Sequence, residues 1–186
     1  MIKRIFLMLL FIISTVNINY AQHMKFNGIS MGETPTVFIN KLKAKGFTPI
    51  SQSGDVLTGN FCGQSNCTIV VLTNKNVVTA TNVLFSKMKT WKDLENYYIY
   101  FKSLLTQKYG DPIKCTEEFE GCPEDDSSKL YCVKTNRCIY HSLFMNDVGY
   151  ISLSIDPFIN NKYIVSIFYG DLINMNKNNQ LNIEDL

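Results

Sequence analysis

The chain predicts an α+β fold: a two-layer domain in which an antiparallel sheet carries two helices on one face. Three observations lead there. Two segments place apolar residues three or four apart, each opened by Thr and closed by Gly. β-rich stretches follow each segment, separated by Asn, Asp and Gly turn residues. Twelve Phe, ten Tyr and one Trp supply the large side chains that fill a sheet core.

The elements follow in order. Lys3 and Arg4 precede an apolar run from Ile5 to Ile13, and Ala21 closes the segment. The run is too short for a bilayer of about 30 Å. Residues 1–21 therefore read as a signal peptide cut before Gln22. No cysteine follows the cut, so no lipid anchor is expected. One domain over residues 22–170 comes next. Met24 to Ser30 reads as a short strand. Thr34 as N-cap and Pro35 at the first helical position start a helix. Val37, Phe38, Ile39 and Leu42 form its apolar face, and Gly46 stops it. Val56 to Cys62, Cys67 to Thr73 and Val77 to Phe85 read as strands, with a hairpin turn at Asn74, Lys75 and Asn76.

Thr90 caps a second helix, with Asp93 three residues on. Trp91, Leu94, Tyr98, Phe101, Leu105 and Tyr109 mark its apolar face, and Gly110, Asp111 and Pro112 end it. Five further strands are predicted: Ile113 to Phe119, Leu130 to Val133, Cys138 to Met145, Val148 to Ile155 and Tyr163 to Tyr169. Asn146 with Asp147, and Asn160 with Asn161, are the turns. Two tandem helix-plus-meander repeats, 24–89 and 90–170, are one form of this plan; a single irregular α+β domain is the other. Residues 171–186 form a polar, Asn-rich C-terminal tail.

Without Lys3 and Arg4, 16 basic residues balance 16 acidic ones. No global basic field remains to attract nucleic acid or anionic lipid. No second apolar run approaches membrane-spanning length, so no membrane insertion is expected after signal cleavage. A periplasmic or secreted location follows.

Export also sets the reading of six cysteines. Cys62 and Cys67 flank a turn-like stretch from Gly63 to Asn66 and are expected to bridge across a hairpin. For Cys115, Cys122, Cys132 and Cys138, the favoured pairing is Cys115–Cys122 with Cys132–Cys138. The nested pairing, Cys115–Cys138 with Cys122–Cys132, is the alternative. Their spacing lacks the short Cys-x-x-Cys knuckles of zinc sites or redox pairs. No metal and no cofactor are expected.

No catalytic constellation stands out. His23 and His141 are the only histidines, and no Gly-x-Ser-x-Gly elbow accompanies them. The Ser86 to Lys89 stretch fits Ser-x-x-Lys, but the companion motifs are missing, so it reads as a solvated link. The segment Glu117 to Asp126 is acidic. Its carboxylates, Glu117, Glu118, Glu120, Glu124, Asp125 and Asp126, are candidate partner contacts. A disulfide-pinned, solvated loop is the plainer reading. Their spacing does not alternate ligands as a calcium loop does.

Lys25 to Gly32, Phe38 to Phe47 and Tyr100 to Pro112, together with the Tyr-Ala-Gln signal end, resemble small exported proteins of gut-dwelling, Bacteroides-like Gram-negative bacteria. That family has no assigned activity, so the resemblance implies export and carries no functional residue across. The doubled helix-plus-meander plan is also similar to the β-lactamase-inhibitor-protein architecture, an analogy of fold alone. The sequence therefore reads as an exported, disulfide-stabilised, non-enzymatic factor that binds a protein partner, of inhibitor, immunity or envelope-associated type. The alternative is a small periplasmic hydrolase that cleaves envelope sugars through a carboxylate pair.

Overall fold

A computed structural model describes residues 22–158 and 162–176. The signal peptide over 1–21, the turn at Asn160 and Asn161, and the tail beyond Asn176 lie outside these residues. The described chain mixes helices with one large antiparallel sheet, so it is α+β.

The chain opens with a small hairpin, β1 (Lys25–Phe26) and β2 (Ile29–Ser30). This replaces the single strand expected over Met24 to Ser30. Asn27 and Gly28 both have positive φ, 47° and 77°, which a tight two-residue turn requires and which Asn and Gly tolerate. Helix α1 (Pro35–Ala44) follows, with Thr34 at its N-cap and Pro35 first inside. Thr34 makes no side-chain cap bond there. Phe38 and Leu42 are fully buried, whereas Val37 is exposed and Ile39 half-buried.

Strands β3 (Thr48–Pro49), β4 (Val56–Phe61), β5 (Gln64–Asn74) and β6 (Val77–Leu84) form a meander. Sequence reading missed β3, which is only two residues long. Helix α2 (Trp91–Tyr109) matches the predicted segment. The Thr90 hydroxyl accepts from the Asp93 amide at 3.1 Å, and Gly110 stops the helix at φ 83°. Trp91, Leu94, Tyr98, Phe101 and Leu105 are buried along one stripe, at the spacing the sequence showed.

The second half holds β7 (Lys114–Phe119), α3 (Asp126–Lys134), β8 (Cys138–Asn146), β9 (Gly149–Phe158) and β10 (Lys162–Asp171). A helical stretch starts at Leu172. Helix α3 corrects the strand expected over Leu130 to Val133. The Asp125 carboxylate accepts from the Ser128 amide at 2.9 Å and caps the helix. That local bond outweighs the β character of Tyr131 and Val133.

The eight sheet strands lie in the order β3-β4-β5-β6-β10-β9-β8-β7, with every described pairing antiparallel. Two four-strand meanders thus meet along one seam, where β10 pairs with β6 from Ser166↔Leu84 to Gly170↔Ala80. Helix α2 packs on β8, β9 and β10, and α3 on β8 and β9.

The core lies between α2 and the sheet. Phe85 stacks on Phe101 with ring centroids 4.1 Å apart. Trp91 meets Phe119 and Tyr140 edge-on, and Phe26 stacks on Phe61. Each such ring, fully buried, contributes about 1.5–3 kcal/mol. No helix of the described residues is long and apolar enough to cross a membrane.

Candidate functional site

The cysteines do not arrange as the sequence reading favoured. Cys122 is bonded to Cys132 across ten positions, the inner pair of the nested alternative. Cys62, Cys67, Cys115 and Cys138 are unbonded. The expected Cys62–Cys67 bridge fails on register. The turn is Cys62 and Gly63 themselves, with φ 48° and 79°, so Phe61 pairs with Gln64 and Cys67 faces Gly59. The favoured Cys115–Cys122 and Cys132–Cys138 pairs fail because residues 126–134 are helical and bring Cys132 back onto the Cys122 segment. In the sheet, Cys115 lies opposite Ser142, and Cys138 lies opposite Phe119. Burial raises the Cys67 thiol and pushes Cys138 up to about 12, so neither is an acidic thiol.

The acidic stretch is dispersed rather than gathered. Glu117 pairs with Lys102, and Glu124 with Lys129 at 3.2 Å. Asp125 caps α3, and Asp126 accepts from the Lys92 amide at the start of α2 at 3.2 Å. Glu118 and Glu120 instead line a shallow, exposed hollow with Asn136, Arg137 and Ile139. Two of the six carboxylates therefore join elements, Glu117 tying β7 to α2 and Asp126 tying α3 to α2, while Glu124 and Asp125 act within the start of α3.

One of them belongs to a polar cluster between α2 and the sheet edge. The Tyr98 hydroxyl and Ser142 Oγ lie 2.6 Å apart in a buried pair. Ser142 donates to Cys115 Sγ at 3.5 Å, and Cys115 donates to Glu117 Oε1 at 3.4 Å. Burial opposes Glu117 ionisation most strongly, but bonds from Lys102 and Cys115, with the attraction of Lys102, hold its carboxyl below its ordinary value. The Glu117 bond in turn raises Lys102. Burial raises the Tyr98 phenol. The cluster is thus locked as an ammonium–carboxylate pair beside neutral hydroxyls.

The sheet face away from α2 has a different organisation, fixed by register. One row across the strands reads Leu72, Ala80, Gly170, Tyr150 and Met145. The next reads Val56, Val70, Asn82, Phe168, Ser152 and Leu143. The third reads Thr58, Thr68, Leu84, Ser166, Ser154, His141 and Thr116. An apolar band with an aromatic centre therefore lies beside a hydroxyl-rich band.

The centre of the apolar band is built by a glycine. A Cβ on Gly170 would come within 2.5 Å of the Tyr150 ring, so the missing side chain lets Tyr150 lie down across the strand. Tyr150 stacks on Phe168 with centroids 5.7 Å apart, and burial raises its phenol. Leu72 and Met145 stand exposed at the two ends of the row. In the hydroxyl band, Asp156 accepts from Ser154 at 2.6 Å and from Ser166 at 2.9 Å. His141 Nε2 lies 2.8 Å from Ser152 Oγ. The acid is engaged by two serines and the histidine by a third, a sheet-face network rather than a relay of acid, histidine and nucleophile.

Sequence reading did not find this face. Its signal was the alternation of Tyr150, Ser152, Ser154 and Asp156 against Ile151, Leu153 and Ile155, which needs strand register before it becomes a surface. Among the described residues, no cluster of three or more His, Cys, Asp or Glu is placed to hold a metal ion. No protein-family model, curated protein or solved structure is found to match this chain.

Proposed function

We propose that this is an exported, periplasmic or secreted, non-enzymatic protein that binds a protein partner through the sheet face opposite α2. The observation that supports it is the apolar band of that face. Tyr150, Phe168, Leu72 and Met145 sit at strand spacing on a rigid surface, and the adjoining serines and threonines offer a hydrogen-bonding margin. Aromatic anchors in a flat, preformed surface give contact area with little side-chain ordering cost.

The reading takes both long helices to the other face. Phe38 and Leu42 of α1 are buried in the same core as Leu57, Ile69 and Val83, which share the α2 side through their register. It also takes the two helix-plus-meander halves, 24–89 and 90–170, as repeats that together build one broad surface. The partner it fits is a folded protein with a flat apolar patch edged by hydrogen-bonding groups.

Site-specific photo-crosslinking in the native envelope tests this. A photoreactive residue at Leu72 or Met145 should give one discrete crosslinked species, and the same residue at Ile99 on α2 should not. Phe168→Lys should abolish the adduct while leaving the far-ultraviolet circular dichroism unchanged. Equal labelling from Ile99, or no adduct from either sheet position, would overturn the reading.

A further inference from the structure

Two hairpin turns and the end of a helix converge on a cleft that the sheet-face reading does not use. They are the β1–β2 turn at Asn27, the β4–β5 turn at Cys62, and the last turn of α2 at Lys108 and Tyr109. The cleft is semi-enclosed, with a volume of about 130 Å³. Its walls are Phe61, Phe101, Leu105, Ile167 and Tyr169, all buried and all part of the core. An engineered apolar cavity of about 150 Å³ takes benzene, so a volume of about 130 Å³ is of the size that suits one ring or a short alkyl chain.

The rim is cationic. Lys25 and Lys108 both line the cleft, both are exposed, and neither has a carboxylate partner among the described residues. Lys108 lies 4.9 Å above the Tyr109 ring, which draws its stem along the rim. The carbonyl end of α2 opposes an anion here, but it carries only about half a unit charge against two full ones. An apolar floor with a few convergent polar groups at the entrance is the general form of a small-molecule site.

We propose that this cleft binds a small organic anion, a single-ring or short-chain carboxylate. Its apolar end rests against Phe101 and Leu105, and its carboxylate lies between Lys25 and Lys108. The size of the floor sets the length of the ligand, and the two ammonium groups set its charge. The site is independent of the sheet face and stands or falls separately from it.

Two probes of one shape decide the matter: 3-phenylpropionate and its uncharged amide, titrated into the purified protein and followed by calorimetry. The acid should bind, and the amide should bind about fivefold to tenfold more weakly. Lys25→Gln with Lys108→Gln, both at exposed positions, should erase that difference without changing thermal unfolding. Cys62 supplies a second readout, because its thiol is unbonded and lines the same cleft. Saturating acid should slow its alkylation by iodoacetamide in a Cys115→Ser background. Equal binding of acid and amide, an unchanged preference in the double variant, or no binding of either at roughly 10 mM would overturn the proposal. So would unprotected alkylation of Cys62.

Discussion

Two buried hydroxyls show how the same group changes sign with its partner. The hydroxyl of Tyr98, a fully buried residue of α2, is 2.6 Å from Ser142 Oγ. Thr81 is equally buried on β6, and its Oγ1 has no partner among the described residues. Tyr98→Phe leaves the shape intact but takes from Ser142 Oγ its Tyr98 partner and leaves only the weak bond to Cys115 Sγ, at a cost of about 1–2 kcal/mol. Thr81→Val removes an unpaired polar atom from a site flanked by Val71 and Tyr169 and should stabilise by about 1 kcal/mol. Urea unfolding of the two variants should therefore shift the midpoint in opposite directions, with similar slopes. A loss of stability in Thr81→Val would show that its hydroxyl is satisfied. Neither environment was legible in the sequence. The spacing marks Tyr98 as core, but its pairing with a serine 44 residues away depends on how α2 crosses β8.

Among the elements, α2 was the most legible because its pattern is local. Its cap, its apolar stripe and its Gly stop all lie within about twenty residues, and the tertiary core uses the same stripe. Helix α3 was illegible for the converse reason: its nine residues are short, its stripe is weak, and Leu130 to Val133 carry strand character. The Asp125 cap decides it, so part of the acidic stretch is helix grammar. Edge strand β7 shows the same absorption of charge into structure. Glu117 is held below its ordinary carboxyl value of 4.5, so its contribution is full above that value and fades as pH falls through the lower folded one. Glu117→Gln should flatten the acid limb of stability below about pH 5. The loss at neutral pH should be below about 1 kcal/mol, because the pair is a third exposed and screened. An acid limb as steep as that of the parent would remove Glu117 from this role. The Cys122–Cys132 bridge fastens the β7–α3 connection, at Cys122, to the last turns of α3, at Cys132. Closing so short a loop is worth about 2–3 kcal/mol through the unfolded state, so Cys122→Ser with Cys132→Ser should lower stability by that amount in a chemical denaturation.

At the scale of the whole molecule, the two meanders would be separate sheets without β10, which joins β6 on one side and β9 on the other. The end of β10 also holds His23 and Met24, near the start of the described residues. Asp171 is fully buried, and its carboxylate accepts from the Met24 amide at 2.8 Å and from the Asn174 amide at 2.7 Å, with His23 Nδ1 at 3.2 Å. Asn174 continues the clasp by donating to the carbonyls of Met31 at 3.0 Å and Val78 at 2.8 Å. One acid and one amide thus tie the N-terminal hairpin, β6 and β10 into a single unit, and no local pattern in the sequence announces it. A carboxylate buried this deeply is tolerated only because its donors come from both ends of the described chain. Asp171→Ala strands the Met24 and Asn174 amides together and should cost about 2–4 kcal/mol. Asp171→Asn keeps an acceptor and the volume, and should cost clearly less. Hydrogen exchange separates this from a merely local defect. If the clasp unites the halves, the alanine variant should lose amide protection in β1 and β2 and along the β6–β10 seam together. Loss confined to β1 and β2 would mean that the hairpin is only docked on a sheet that holds itself.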